Sequence, residues 1–186
     1  VKIGMLANAR IIDTVADALE HYRPKCIVLD PVMVSSSGHT LLETRAIRRL
    51  VQRLLPLATV ITPNIDEAML LLDHGIDNEE QAEGALVELL AMGANAVLLK
   101  GGHLSGKKVI DRLDTGKALH EFEHPRLRIS GHGTGCTLAA AIAANLALKK
   151  SLQDACEAAG DYVYAALKVA YTPGTKKLSV LKHVSA

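Results

Sequence analysis

Tryptophan is absent from these 186 residues, and one phenylalanine with four tyrosines brings the aromatics to only 3%. Stacking platforms for nucleic acid need aromatics interleaved with basic residues, and neither these nor basic clusters occur. Charge of either sign is in little excess, with a formal net of +1, which gives no electrostatic attraction to nucleic acid or an anionic membrane. No apolar run approaches the roughly 18 residues of a membrane span. Cysteine is scarce: Cys26, Cys136 and Cys156 form an odd set without C-x-x-C spacing. A disulfide framework and a zinc site are thereby disfavoured, and three free thiols fit a reducing, cytoplasmic setting. Cys26 and Cys156 lie in apolar patterns and read as inert packing.

What is present is aliphatic. Apolar residues make up 49% of the chain, so its core must come from Leu, Val, Ile and Ala. The length suits one domain, taken here as residues 1–186 with a loose tail over 171–186. The first residue is Val1, and the opening VKIGML reads as a buried strand with nothing before it. We therefore read the sequence as the C-terminal part of a longer protein.

Strand and helix patterns alternate. Residues 1–6 predict a strand and 8–21 a helix, with Ile11, Ile12, Val15 and Leu19 at helical spacing. CIVLDP is a buried strand stopped by Pro31, and the loop VSSSGHT leads to a helix over 42–55. ATVITP is the next strand, followed by a short helix to about Asp73, capped by Asn64 or Asp66. A helix over 78–92 returns to the strand NAVLLK. Three shorter strand-like pieces follow, KVIDRLD, ALHEFE and RLRI, with a turn at Thr115-Gly116. Helices over 135–149 and 152–170 complete the pattern. Apolar strands unrelieved by polar alternation argue a mainly parallel sheet with helices on both faces. Ligands bind such sheets beyond the carboxyl ends of the strands. Asp30, Thr62, Asn64 and Lys100-Gly101-Gly102-His103 stand at those ends.

The densest motif is GHGTGCTLAAAIAANLAL, where glycines, a threonine and a cysteine run directly into an alanine-rich helix. A helix start offers unpaired N–H groups and partial positive charge, so the amides of Gly133, Thr134, Gly135 and Cys136 suit a phosphate. The same position predicts a lowered pKa for Cys136, giving a base toward a substrate hydroxyl. The competing reading is a tight turn with a gap-filling cysteine. The run has neither the lysine of a P-loop nor the G-x-S-x-G pattern. Asn64 and Glu67 share a helix face; they either hold Mg²⁺ through waters or answer each other as a capping box. Lys100 either reaches a phosphate or is solvated, and Asp30 is either functional or a turn-former. His132 beside Cys136 raises a thiol-hydrolase alternative with no other support.

Taken together, KIGML, VLDPVMVSSSG, ITPNIDEAMLLL, AVLLKGGH and HGTGCTLAAAIAA resemble, in order and spacing, the hydroxymethylpyrimidine/phosphomethylpyrimidine kinases of the ribokinase-like superfamily. The likeness runs from Val1 to about Ala170. It implies ATP-dependent phosphorylation of hydroxymethylpyrimidine and then of its monophosphate, toward thiamine diphosphate. It implies an anion hole of Gly133, Thr134, Gly135 and Cys136, with Cys136 as base. Asn64 and Glu67 would act on Mg²⁺ and phosphates, Asp30 and Lys100 would contact ATP or its metal, and Thr62 stands with them at the nucleotide. The family carries a further N-terminal portion ahead of KIGML, and many members have lysine where Ser36 stands. Without that portion the sheet would expose an edge and favour self-association. Pyridoxal kinase of the same superfamily and a non-catalytic nucleotide-binding fragment are the alternatives.

Overall fold

The computed structural model describes residues 1–34, 41–129, 131–174 and 179–183, with Thr44, His103 and His132 described by backbone alone. Its centre is a six-stranded sheet in the order β1-β2-β3-β4-β5-β6. The strands are β1 (Lys2–Ile3), β2 (Val28–Leu29), β3 (Val60–Ile61), β4 (Val97–Leu99), β5 (Lys108–Asp114) and β6 (Leu119–Pro125). The first four run parallel, with Lys2 beside Val28, Val28 beside Val60 and Ile61 beside Val97. β5 and β6 are antiparallel additions. The fold is thus the expected α/β arrangement with a mainly parallel sheet.

Period-two alternation sorts the strand residues into two cores. Ile3, Leu29, Ile61, Val97 and Leu99 pack with residues of α1 (Ala9–Tyr22), α2 (Thr44–Arg53), α3 (Ile65–Leu72) and α4 (Glu79–Ala91). Val28, Val60, Leu98 and Leu113 pack on the opposite face with Leu138, Ala139 and Ile142 of α5 (Thr134–Ala147) and Ala155, Cys156 and Ala159 of α6 (Leu152–Lys168). Helices therefore cover both faces. Among the described residues, no helix is long and apolar enough to cross a membrane.

The alternation also aims the polar residues. Lys2, Asp30, Thr62 and Lys100 share the parity of Val28, Val60 and Leu98, so they project toward α5 at or near the strand ends.

Three expectations change. The opening strand narrows from residues 1–6 to Lys2–Ile3. RLRI is not a strand: Arg126 instead donates to the carbonyls of Gly102 and Gly106, at 2.8 and 2.9 Å, and to that of Leu104. Its guanidinium pins the turn that follows β4. The tail is not wholly loose. Ser179–Val180 forms β8, parallel to β7 (Gly131–His132), Tyr171 bridges to Val180, and Leu181 is buried. The loop residue Ser36 lies outside the described residues, as does the His132 side chain.

Candidate functional site

Side chains close the starts of four helices: Asn8 for α1, Asn64 for α3, Asn78 for α4 and Ser151 for α6. α5 differs. Its N-cap is Gly133, whose φ of 83° lies in the left-handed region that favours glycine, and no side chain caps it, as none caps α2. The first-turn amides are left as donors at the positive end of the helix. The helix begins at Thr134, one residue ahead of the expected Gly135.

Opposite that turn stands Lys100. A Cβ added at Gly135 would lie 3.1 Å from Lys100 Nζ, so only glycine lets the helix start come this close without displacing the lysine. Lys100 Nζ lies 3.2 Å from Asp30 Oδ1 and 3.5 Å from Glu67 Oε2. The Thr62 hydroxyl donates to the same Asp30 Oδ1 at 3.4 Å. Asp30, Thr62 and Glu67 are all buried. Asp30, Thr62, Glu67 and Lys100 thus converge, and Gly135 lies against the lysine.

The Asn64–Glu67 pair is a capping box: Asn64 Oδ1 accepts the Glu67 N–H and Glu67 Oε2 accepts the Asn64 N–H, both at 2.8 Å. The cap belongs to Asn64, and the box does not keep Glu67 from Lys100. Backbone pairing of Asn64 with Lys100 extends the β3–β4 ladder by one bridge and holds the two residues side by side.

Burial pulls the Lys100 ammonium toward neutrality, but the carboxylates of Asp30 and Glu67 outweigh it and hold its pKa above the ordinary value. Glu67 moves up as well: loss of hydration dominates and outweighs Lys100 and the Asn64 N–H, which pull the other way. Cys136 corrects an expectation. Its pKa is raised, first by lost hydration and then by the negative charge of Asp30, against the pull of Lys2 and Lys100. Lost hydration, with this nearby carboxylate, outweighs the helix end. Cys136 is exposed, whereas Cys156 is buried and its thiol is pushed up to about 12 by burial and then Asp111.

Asp30 Oδ2 is the one buried side-chain oxygen or nitrogen among the described residues without a hydrogen-bond partner. An oxygen of this kind suits a hard cation, and Mg²⁺ takes one or two carboxylates and completes its shell with waters and substrate phosphates. Asp30 and Glu67 fit that donor chemistry. Among the described residues no group of three His, Cys, Asp or Glu side chains gathers to hold a metal alone.

Two residues of this neighbourhood escaped the sequence reading. Lys2 Nζ stands 3.4 Å from Asp30 Oδ2. Asp111 on β5 accepts the Gly101 N–H at 2.8 Å and so ties down the turn after Lys100. Lys2 sits one residue from the end of a short strand, which is a usable signal once β1 is placed beside β2. Asp111 acts across an antiparallel hairpin, and nothing in its local sequence marks it.

The architecture is that of the ribokinase-like kinases. The structure superposes on a Bacillus subtilis pyridoxal kinase solved as an ADP complex with a TM-score of 0.90 and 32% identity, covering 98% of this chain and 69% of that one. A Clostridium difficile phosphomethylpyrimidine kinase gives 0.78 and 37%, covering 89% and 68%. Within that class, the chain belongs to the phosphomethylpyrimidine kinase family, whose profile matches residues 1–181. A Geobacter sulfurreducens thiamine biosynthesis bifunctional protein is 44% identical over 94% of this chain. A Rhizobium meliloti hydroxymethylpyrimidine/phosphomethylpyrimidine kinase is 42% identical over 91% of it. The chain spans 36% of the first protein and 64% of the second.

Proposed function

We propose that this chain carries the phosphoryl-transfer half of an ATP-dependent kinase acting on hydroxymethylpyrimidine and then on its monophosphate. The observation that supports it most is the uncapped start of α5 set against Lys100, with Asp30 and Glu67 behind the lysine. Phosphoryl transfer asks mainly for positioning and for fixed positive dipoles at the oxygens that gain charge. The Gly133–Cys136 amides supply such dipoles without having to reorganise, and Lys100 supplies a full charge held in place by two carboxylates.

In this reading the acceptor hydroxyl oxygen forms a bond to the terminal phosphorus of ATP while the bond to the bridging oxygen breaks and ADP leaves. The hydroxyl proton passes to Cys136 Sγ in its thiolate form, which becomes the thiol. Thr62 and Lys100 orient Asp30 beside the phosphates, and Asn64 and Glu67 fix the adjoining backbone. Magnesium, when bound, would supply charge neutralisation at the phosphates, with Asp30 and Glu67 as its protein oxygens and Asn64 beside them.

Pyridoxal is the competing acceptor, favoured by the higher TM-score to the Bacillus pyridoxal kinase. Incubation with Mg·ATP and each alcohol separately, with products resolved by chromatography, decides between them. The proposal expects the pyrimidine mono- and diphosphates. Pyridoxal phosphate alone would reassign the acceptor, and nucleotide binding without any product would make the chain a binding module.

A further inference from the structure

Lys2 has no part in the reading above. It stands on β1, and position 4, just past the end of that strand, is glycine. A Cβ there would stand 2.7 Å from Lys2 Nζ, so the ammonium lies over bare backbone on its way to the strand end. It stops 3.4 Å from Asp30 Oδ2, with the side chain 23% exposed. Lys100 approaches the other oxygen, Oδ1, with its side chain 12% exposed. The two ammonium groups thus flank one carboxylate, from β1 and from the end of β4.

Their engagement differs. Lys100 is shared between Asp30 and Glu67 and donates a hydrogen bond to Asp30. Lys2 faces Asp30 at a distance longer than a strong charge-assisted bond, and Asp30 Oδ2 accepts no hydrogen bond at all. Its charge also reaches the Cys136 thiol, which places it on the thiol's side of the site. Lys2 is ion-paired with Asp30 yet spends none of its N–H donors on a hydrogen bond there, so a partly exposed ammonium on the Cys136 side of the site keeps its donors for an oxyanion.

We propose that Lys2 is a second phosphoryl-binding residue, its ammonium receiving a phosphate oxyanion on the β1 side of Asp30 while Lys100 serves the β4 side. The inference rests on the kinase reading. The oxyanion has two sources of shared chemistry: the phosphoryl group in transit, or the phosphate already carried by a monophosphate acceptor.

Calorimetric titration of the chain with tripolyphosphate tests the oxyanion site without any acceptor. One charge-assisted contact predicts that Lys2→Met binds about tenfold more weakly. Lys2→Arg should stay within about threefold of the parent, because the charge survives. Gly4→Ala should weaken binding several-fold, since the ammonium must leave its seat over the glycine. Melting temperatures close to the parent's would show that lost binding is not lost folding. Parent-like affinity in Lys2→Met overturns the proposal.

Steady-state kinetics then separate the sources. An equal fall in kcat with the alcohol and the monophosphate assigns Lys2 to the group in transit. A rise in KM for the monophosphate alone assigns it to the acceptor's phosphate, and unchanged kinetics with both overturns the role. If the parent phosphorylates neither pyrimidine nor pyridoxal, the kinase reading fails, and the tripolyphosphate arm still decides Lys2.

Discussion

At the scale of single residues, Cys136 carries the sharpest chemical demand. It is exposed at the start of α5, yet lost hydration and Asp30 keep its thiol protonated above the ordinary range. A base with a raised pKa is present as only a small thiolate fraction at neutral pH, and that fraction grows with each step toward alkali. Turnover should therefore climb through the alkaline range and level off only above the usual thiol pKa. Cys136→Ala should lower kcat by about 10²-fold or more, with KM for ATP within about threefold, because the backbone amides remain. A flat pH profile together with parent-like kcat in the alanine variant would reduce the thiol to packing. Glu67 makes a second demand. Burial raises its pKa, so the folded state binds its proton more tightly than the unfolded chain does. The stabilisation this gives is complete below the unfolded value and is lost as pH rises through the folded one. Glu67→Gln keeps the cap oxygen and removes that loss, so its melting temperature relative to the parent should rise between pH 4 and pH 7. Its Mg²⁺ requirement should rise too. If the difference in melting is independent of pH, Glu67 is not titrating in a buried place.

At the scale of elements, the site is a meeting of strand ends with one helix start. The turn after β4 shows how little slack it has. A Cβ at Gly101 would lie 2.0 Å from the Ile110 carbonyl oxygen, so β5 backbone fills the space where a side chain would go. Gly101→Ala should destabilise by about 3 kcal/mol, an overpacking cost that a thermal melt would register as a drop of roughly 10 °C. An unchanged melt would mean that the turn and β5 can separate freely. These elements were unequally legible in the sequence. The parallel strands were found because CIVL, ATVI and AVLL are buried on both faces and carry no competing pattern. The helix at Asn64 was found from its cap. The polar strand ends were found from the rule that places ligands there. RLRI misled because alternation alone does not reveal that Arg126 has carbonyls of the 101–106 turn to bind. The Cys136 shift misled because the local signal, a helix start, is opposed by lost hydration and by Asp30, which is remote in sequence and adjacent in space. Lys2 and Asp111 depend likewise on contacts between strands that no local spacing records.

At the scale of the whole molecule, the sheet divides its work. β1 to β4 present the polar residues, while the β5–β6 hairpin braces the turn that carries Lys100. Arg112, buried in that hairpin, joins Glu121 of β6 at 2.8 Å and Glu79 of α4 at 2.5 Å, linking the brace to a helix on the other side of β4. The described part of the tail adds β8 to β7, directly ahead of the α5 start, so the last described strand buttresses the backbone that leads into the proposed anion site. The account's central claim is that the first-turn amides of α5 grip a nucleotide phosphate opposite Lys100. Titration of ¹⁵N-labelled chain with Mg²⁺ and a non-hydrolysable ATP analogue, followed by amide resonances, tests it most directly. The account predicts the largest shifts at Thr134, Gly135 and Cys136, reduced when Lys100 is replaced by Met. Binding that leaves those three amides unmoved while resonances elsewhere respond would contradict it.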